Sequence, residues 1–179
     1  MSFADILLQI LAGWLIADFL SGLFHWLEDR VLWASMPVLG RHIVAPNRLH
    51  HAQPSAFMAA SVWVRNATSW PLVLAIAAAW FALAGFSPMW LGALIGGLVA
   101  QEVHVLAHRR PHAGLLGVLQ QIGVIQHPRQ HGQHHRGAMD ARYCVLTGWL
   151  NPILDWAGFW AALERIIAAV GLEPNRGTK

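Results

Sequence analysis

The sequence has little charge, almost no lysine and a single cysteine. Only 12% of its 179 residues are charged and 56% are hydrophobic, whereas about a quarter of the residues of a soluble domain are charged. This composition predicts a membrane protein, with one domain over residues 1–179. The one cysteine, Cys144, excludes an intramolecular disulfide and gives no support to a thiolate metal site.

The positive charge of the chain comes almost wholly from arginine. Lysine and arginine together number 12, only Lys179 is a lysine, and the pI is near 10. The arginines are spread among apolar segments and do not form one polar face, so we do not expect nucleic-acid binding. Histidine is unusually frequent, because the 11 histidines nearly match the 12 basic residues in number.

The spacing of the downstream histidines is that of a metal site. His104 and His108 are four residues apart, and His131 is followed by His134 and His135 at three and four residues. Residues at these spacings share one face of a helix, so each group presents several ring nitrogens in one direction. Neutral imidazoles suit iron, zinc, copper or nickel and are poor ligands for magnesium or calcium.

Further candidate ligands lie in the first third of the chain. His25 and Asp29 are one helical turn apart, which indicates a ligand with its orienting carboxylate. The adjacent pair His50-His51 is a weaker signal, because adjacency alone does not define a site. Asp18 lies inside an apolar run, where an acid is costly; it either serves the site or hydrogen-bonds a neighbouring helix.

Hydropathy and capping residues predict an all-α integral membrane protein with three to four transmembrane helices. Three spans are expected at about residues 3–24, 68–86 and 88–106, each close to the 20 residues that cross a bilayer. Ser87-Pro88 provides a cap and a first helical residue for the third span. Residues 151–170 form either a fourth span or an interfacial helix.

The connecting segments are expected to be less regular. Residues 32–54 are rich in polar and turn residues and predict a connection that carries His50 and His51. Residues 56–64 predict a short interfacial or buried helix. Residues 115–122 fit an amphipathic helix on the membrane surface.

The distribution of arginine predicts the orientation in the membrane. Residues 1–5 and the turn near Gly85 carry no lysine or arginine, and a secretory signal is not expected because it would need a basic start. Segments 30–65 and 109–142 carry most of the arginines, which places them on the cytoplasmic side. The same segments and the span ends beside them hold the histidines, so we predict a cytoplasmic histidine-rich cap on a bacterial inner membrane or an ER-type membrane.

The number of histidines favours two metal ions. A zinc ion usually takes four protein ligands, or three in a catalytic site, whereas the sequence offers eight clustered histidines. The eight are His25, His50, His51, His104, His108, His131, His134 and His135. Two six-coordinate irons sharing these imidazoles would keep positions for O₂ or water. Such a site beside a bilayer suits the oxidation of an unactivated C–H bond in a lipid chain, which needs a metal–oxygen oxidant.

The histidines stand in a longer pattern that resembles a known family. The pattern comprises Ala17-Asp18-Phe19-Leu20-Ser21-Gly22, His25-Trp26, Asp29, Arg48-Leu49-His50-His51, Gln101, His104, His108, Pro128-Arg129, His131, His134-His135, Tyr143-Cys144, Gly148-Trp149 and the run from Asn151 to Asp155. In this order, over roughly residues 15–156, it is similar to the Kua, or plasmanylethanolamine desaturase, family of lipid desaturases, which is related to the chloroplast palmitate desaturase.

The resemblance implies a reaction and its cofactors. It implies two iron ions on the eight histidines, O₂ as co-substrate, and an outside electron donor such as a cytochrome-b5-like protein or a ferredoxin. The expected reaction introduces a double bond into an acyl chain or a plasmanyl-type alkyl chain of a membrane lipid. Asn47 stands where other membrane desaturases have a histidine, so Asn47, Asp29 or water is expected at that metal position.

Two alternatives to a desaturase remain open from the sequence. A lipid hydroxylase would use the same ligands, and the sequence does not distinguish the two outcomes of C–H oxidation. A membrane haem protein or metal transporter is less favoured. Haem needs histidine pairs near mid-membrane, whereas these histidines lie near span ends and in the connections. A transporter needs polar residues along several spans, and the second and third spans have few polar residues apart from Glu102. His42 and His112 are expected to be dispensable, and His127 is undecided.

Overall fold

A computed structural model describes residues 1–136 and 139–175, and every regular element in these residues is helical. A π-helical turn at Gly40–Val44 precedes α2. The α-helices are α1 (Phe3–Arg30), α2 (Ala45–Ala52), α3 (Pro54–Ala59), α4 (Val62–Arg65), α5 (Ser69–Ala84), α6 (Pro88–Ala107), α7 (Gly114–Gln121), α8 (Pro128–His134), α9 (Leu150–Trp156) and α10 (Phe159–Ala169). The all-helical class predicted from the sequence is confirmed.

Two of the described helices are long and apolar enough to cross a membrane. They are α1, with 28 residues, and α6, with 20 residues. A capping box between Ser2 and Asp5 precedes α1, and Ser87 caps the N-terminus of α6, where its hydroxyl accepts from the Trp90 amide. α5 is apolar but has only 16 residues, fewer than the ~20 of a full span. The predicted count of three to four spans is therefore not confirmed.

α1 and α6 pack side by side in a parallel orientation. A Cβ on Gly13 would collide with the Met89 carbonyl, and a Cβ on Gly92 would collide with the Ile10 carbonyl. Glycine at both positions lets the two backbones approach closely. Farther along both helices, Gly96 lies beside Ala17. Later residues of α1 thus contact later residues of α6, which shows that the two helices run in the same direction. The C-terminal ends of α1 and α6 therefore meet at one end of the molecule.

α5 returns antiparallel along α6. The Trp70 indole donates to the Leu98 carbonyl at 2.9 Å, and the Trp90 indole donates to the Ala77 carbonyl at 2.8 Å. The turn between the helices contains Gly85 with φ +72°, a conformation that glycine adopts readily. α5 and α6 thus enclose a space with α1.

The C-terminal region does not form the continuous helix expected over residues 151–170. α9 ends at Trp156, and α10 begins after Gly158, which has φ +64°. The two helices have 7 and 11 residues, so neither is long enough to be the fourth span. Trp160 on α10 packs with Trp26 of α1 and with Tyr143, which ties this region to the end of α1.

The connecting segments are more helical than expected. His50 and His51 lie on α2, within the connection expected over residues 32–54, and His131 and His134 lie on α8, in agreement with their helical spacing. The expected helix at residues 56–64 is divided into α3 and α4, whereas the expected amphipathic helix at residues 115–122 is confirmed as α7.

Asp18 is a structural residue that fastens a buried segment to α1. Its carboxylate accepts from the Leu146 amide at 2.9 Å and from the Thr147 hydroxyl, and Asp18 is fully buried. The Ser21 hydroxyl accepts from the Val145 amide at 3.2 Å. Of the two roles considered for Asp18, hydrogen bonding to a neighbouring segment is the one observed. This fastening also positions Tyr143 beside the end of α1.

Candidate metal centre

The eight predicted histidines converge where α1 and α6 end. They form two adjacent groups, in each of which one possible ligand atom per residue lies within 4.8 Å of the others. The first group consists of His50, His104, His108, His131 and His135. The second consists of His25, Asp29, His51 and His134. We call them the five-imidazole group and the Asp29 group.

His131 occupies the middle of the five-imidazole group. Its Nε2 lies 2.9 Å from Nε2 of His104, 2.8 Å from Nε2 of His108 and 2.9 Å from Nε2 of His135. Nε2 of His50 completes the set at 3.3 Å from Nε2 of His108. Three helices bring these residues together from distant parts of the sequence, with His50 on α2, His104 on α6 and His131 on α8. His108 and His135 directly follow α6 and α8.

Hydrogen bonding does not account for this convergence. A neutral imidazole nitrogen is either a donor or an acceptor, so Nε2 of His131 has no pattern of hydrogen bonds that satisfies three nitrogen neighbours. Nitrogens that share a metal ion lie about 2.1 Å from it, and two of them at a right angle are about 3.0 Å apart. The observed nitrogen–nitrogen separations of 2.8–2.9 Å around His131 are close to this value. The group therefore fits a transition-metal ion.

The Asp29 group is built around a carboxylate. Oδ1 of Asp29 lies 3.0 Å from Nε2 of His51, and Oδ2 lies 3.3 Å from Nε2 of His134 and 3.7 Å from Nε2 of His25. Among the described residues, Nε2 of His25 and Nε2 of His134 are buried without a hydrogen-bond partner. Oδ2 of Asp29 also lacks a hydrogen bond to any described residue, and His51 contacts Oδ1 of the same carboxylate. Three imidazoles and one carboxylate thus converge on one point, a ligand set that suits iron or zinc.

Backbone carbonyls orient two imidazoles of the Asp29 group. Nδ1 of His25 lies 3.1 Å from the Tyr143 carbonyl oxygen, and Nδ1 of His134 lies 2.7 Å from the Ala141 carbonyl oxygen. A proton on each Nδ1 donates to its carbonyl and leaves Nε2 as the ligand atom, as is usual for metal-bound histidine. Asp29, the orienting group predicted for His25, lies 3.7 Å from Nε2 of His25, whereas the Tyr143 carbonyl contacts Nδ1 of the same ring.

Asn47 contacts the site through Asp29. Its side-chain amide donates to Oδ1 of Asp29 at 2.6 Å. Of the two side chains considered for the additional metal position, Asp29 lies among the possible ligand atoms, whereas Asn47 holds the carboxylate in place. Carboxylates at metal sites are usually oriented by such hydrogen bonds.

Burial keeps imidazoles of the five-imidazole group neutral. Burial, together with the neighbouring imidazoles, lowers the pKa of His108 to about 4 and the pKa of His135 to about 2. The pKa values of His50 and His131 also lie well below the ordinary value, because both rings are buried and both face other imidazoles. Only neutral imidazole binds a metal ion, so these residues are ready ligands near neutral pH.

The other three histidines lie outside both groups in the described part of the chain. His42 is exposed at the mouth of a cavity, and His127 caps α8 by accepting from the Arg129 amide at 3.1 Å. The backbone of His112 donates to the Gln120 side chain at 3.1 Å. Their positions agree with the expectation that His42 and His112 are not ligands, and they give His127 a capping role.

An apolar cavity of about 860 Å³ leads to the metal centre between α1, α5 and α6. His25, His50 and His104 form part of its wall at one end, and Trp80 and Trp90 lie at the other end. One face of α6 follows the cavity throughout, through Trp90, Ala93, Leu94, Gly97, Ala100, Gln101 and His104. This stretch of α6 is about 21 Å long at 1.5 Å per residue, so the cavity suits an extended apolar chain.

The profile of the lipid desaturase domain matches residues 14–177, nearly the whole chain. The chain belongs to the lipid desaturase family. It is similar to the plasmanylethanolamine desaturase of Myxococcus xanthus, with 32% identity over 96% of this chain and 64% of the relative. It thus spans less than two thirds of that relative's length. No solved structure matches the chain.

Two further relatives lie in animals and plants. Plasmanylethanolamine desaturase 1 of Mus musculus is 31% identical over 96% of this chain and 68% of its own length. The chloroplastic fatty acid desaturase 4 of Arabidopsis thaliana is 30% identical over 92% of this chain, which is 52% of the relative. The resemblance found in the histidine pattern is therefore confirmed, and the two long apolar helices agree with a membrane location.

Proposed function

We propose that this protein is a membrane di-iron lipid desaturase that uses O₂ and two external electrons. The observation that carries the proposal is the position of two adjacent metal-ligand groups at one end of a long apolar cavity. The family assignment and the names of the relatives support a lipid substrate. An acyl chain or a plasmanyl-type alkyl chain of a membrane lipid fits the cavity.

All eight histidines and Asp29 are proposed as metal ligands, with one iron in each group. The residues fit two ions because the Nε2 atoms converge in two places and the ring nitrogens of His25 and His134 that face Asp29 lack hydrogen bonds in the described structure. Several metals suit imidazole and carboxylate, and the family resemblance selects iron. Iron with O₂ would supply the oxidising power that side chains lack.

The proposed reaction removes two hydrogen atoms from neighbouring carbons of the chain. One CH₂–CH₂ unit becomes CH=CH, and the two hydrogen atoms, two external electrons and two protons reduce one O₂ to two waters. The protein positions the chain: α1, α5 and α6 surround it with apolar side chains, and His25, His50 and His104 line the end of the cavity at the metal centre. Holding reacting atoms within near-attack distance contributes much of the rate in such reactions.

The lipid head group is proposed to remain near the polar mouth of the cavity. Arg41 and His42 are exposed there, and Arg65 lines the same region while paired with Glu102 at 2.6 Å. Arginine binds phosphate well because its planar donors match the phosphate oxygens. A phosphate near Arg41 would place carbons close to the ester or ether linkage beside the metal centre, with the tail extending toward Trp80 and Trp90.

We propose that the metal centre faces the cytoplasm, where a cytochrome-b5-like protein or a ferredoxin supplies the electrons. Arginine-rich segments favour the cytoplasmic side, and Arg109, Arg110, Arg129 and Arg136 all follow or flank proposed ligands. The parallel packing of α1 and α6 is consistent with this orientation, because His25 and His104 then emerge on the same side.

Cysteine labelling tests the orientation. Cys144 is fully buried, so an engineered cysteine is expected to dominate the reaction. A Cβ at Gly132 meets no atom within 4 Å, which makes Gly132→Cys a mild change, and Phe86→Cys at the exposed α5–α6 turn is the matched control. An impermeant reagent added outside intact cells should label Phe86→Cys and spare Gly132→Cys. The opposite pattern would overturn the proposed orientation.

Lipid analysis of a host with and without the gene tests the activity. A product two mass units lighter than its precursor supports desaturation, and one sixteen units heavier supports a hydroxylase acting through the same ligands. His134→Ala provides the inactive control because it removes a buried proposed ligand. The absence of both products in a host that supplies iron, O₂ and reductant would overturn the proposed function.

A further inference from the structure

Phe57 is an aromatic side chain that lies against the metal centre without being one of its proposed ligands. Its ring centroid is 4.8 Å from the His50 ring, 5.0 Å from the His104 ring and 6.2 Å from the His108 ring. All three imidazoles belong to the five-imidazole group. Phe57 therefore covers one side of that group.

The packing of α3 indicates that Phe57 is not a core residue. All six residues of α3 are described, and none of them is buried. Phe57 itself is half-buried and lies in the wall of the cavity, next to His50 and His104. Its apolar ring thus faces the space that the proposed substrate occupies and contributes little to the packing of the helices.

The position of Phe57 matters for a chain that enters the cavity. A chain reaching the five-imidazole group passes the Phe57 ring, because the ring and two of the imidazoles belong to the same part of the wall. A phenyl ring has a large, rigid surface with few rotatable bonds. It can fix the depth and the rotation of the neighbouring CH₂ groups, which decides the carbons that face the metal centre.

We propose that Phe57 is a specificity-determining residue that sets the position of the new double bond. This inference rests on the proposed desaturase function. Phe57 acts by contact with the chain and leaves the metal ligands unchanged. A smaller side chain gives the substrate room to slide by one or more carbons, whereas a side chain of similar volume keeps the original register.

Product analysis of Phe57→Ala and Phe57→Leu, with wild type beside them, tests this proposal. Mass spectrometry after cleavage of the double bond would give its position. Phe57→Ala is expected to raise the fraction of other positional isomers at least tenfold, and Phe57→Leu to stay near the wild-type distribution. Met58→Ala is the matched control, since Met58 is a described neighbour on α3 that does not line the cavity. Iron content should equal that of wild type in all three variants.

The outcomes separate this inference from the function on which it rests. An active Phe57→Ala protein with the wild-type isomer distribution would overturn the inference and leave the proposed function standing. Loss of iron from both Phe57 variants would show a structural role and would also overturn it. If Phe57→Ala does not fold, Phe57→Trp is used instead, and a larger ring is expected to shift the distribution; an unchanged distribution contradicts the inference. A wild-type protein that desaturates no lipid overturns the function itself.

Discussion

The two ligand groups differ in the charge of their ligands and in the hydrogen bonds that orient those ligands. The five-imidazole group contains five neutral rings from α2, α6 and α8, and His50 and His104 face the cavity. The Asp29 group has three imidazoles around one carboxylate, and backbone carbonyls hold His25 and His134. The carboxylate of Asp29 attracts a metal cation by its charge, whereas neutral imidazoles bind the cation through their lone pairs alone. The Asp29 group is thus suited to firm binding, and both groups border the cavity, the five-imidazole group through His50 and His104 and the Asp29 group through His25.

The largest effects should come from removing one ligand of either group. His131→Ala removes the central nitrogen of the five-imidazole group, and Asp29→Ala removes the carboxylate of the other. Each is expected to reduce turnover more than 100-fold, because loss of an orienting residue outside the ligand set already costs 10–100-fold. Elemental analysis should find about one iron in each variant, retained by the intact group. Full activity in either variant would show that the site is misplaced.

A smaller loss of turnover or iron affinity is expected when the hydrogen bond that orients Asp29 is removed. Asn47→Ala deletes the 2.6 Å hydrogen bond to Oδ1 of Asp29, so the carboxylate loses its fixed direction. Turnover or iron affinity should fall about 10–100-fold. Arg48→Ala is the matched control, since Arg48 is the exposed neighbour on α2. Equal behaviour of the two variants would remove Asn47 from the account.

Acid should weaken the metal-free protein through the five-imidazole group. Burial lowers the pKa of His108 to about 4 and of His135 to about 2, whereas an unfolded histidine has a pKa near 6.5. Below pH ~6.5 the unfolded chain therefore binds protons that the folded chain does not, and stability is lost as the pH falls toward 4. The Tm of metal-free protein in detergent should fall from pH 7 to pH 5.

The double variant His108→Gln/His135→Gln separates this effect from other acid-sensitive groups. Glutamine keeps a polar side chain without a proton-binding site in this pH range. The variant should show a shallower fall in Tm over the same interval. An identical slope in the variant and the wild type would contradict the assignment to these imidazoles.

The smallest effect is expected at histidines outside the two groups. His42→Ala changes an exposed residue and His112→Ala changes a half-buried ring that belongs to neither group. Both variants should keep two irons and turn over within about twofold of wild type, because substitutions away from such sites usually change little. A loss of iron in either would mean that the boundary of the site is wrong.

Much of the site could be predicted from the sequence because its ligands are side chains with helical spacing. His104 with His108, and His131 with His134 and His135, were identified by spacing alone. His25 and Asp29 followed from a spacing of one turn. The division into two groups was not predictable, since it depends on the packing of α2 and α8 against α1 and α6.

The parts that sequence reasoning missed have no sequence signature of their own. The carbonyls of Tyr143 and Ala141 orient His25 and His134, yet every residue has a carbonyl. Tyr143 stood in the family pattern without a role. The break at Gly158 was hidden by the apolar composition of residues 151–170. Phe57 resembled an ordinary apolar residue of a short helix, and only its contacts with three imidazoles distinguish it.

The iron content of gently purified wild-type protein shows whether the two ligand groups each hold a metal ion. We expect close to two irons per chain, one for each ligand group, and activity that iron restores after chelation. Zinc bound during overexpression is expected to be inactive and replaceable by iron. A limit of one metal ion per chain after full reconstitution, or activity restored by zinc but not by iron, would contradict the account.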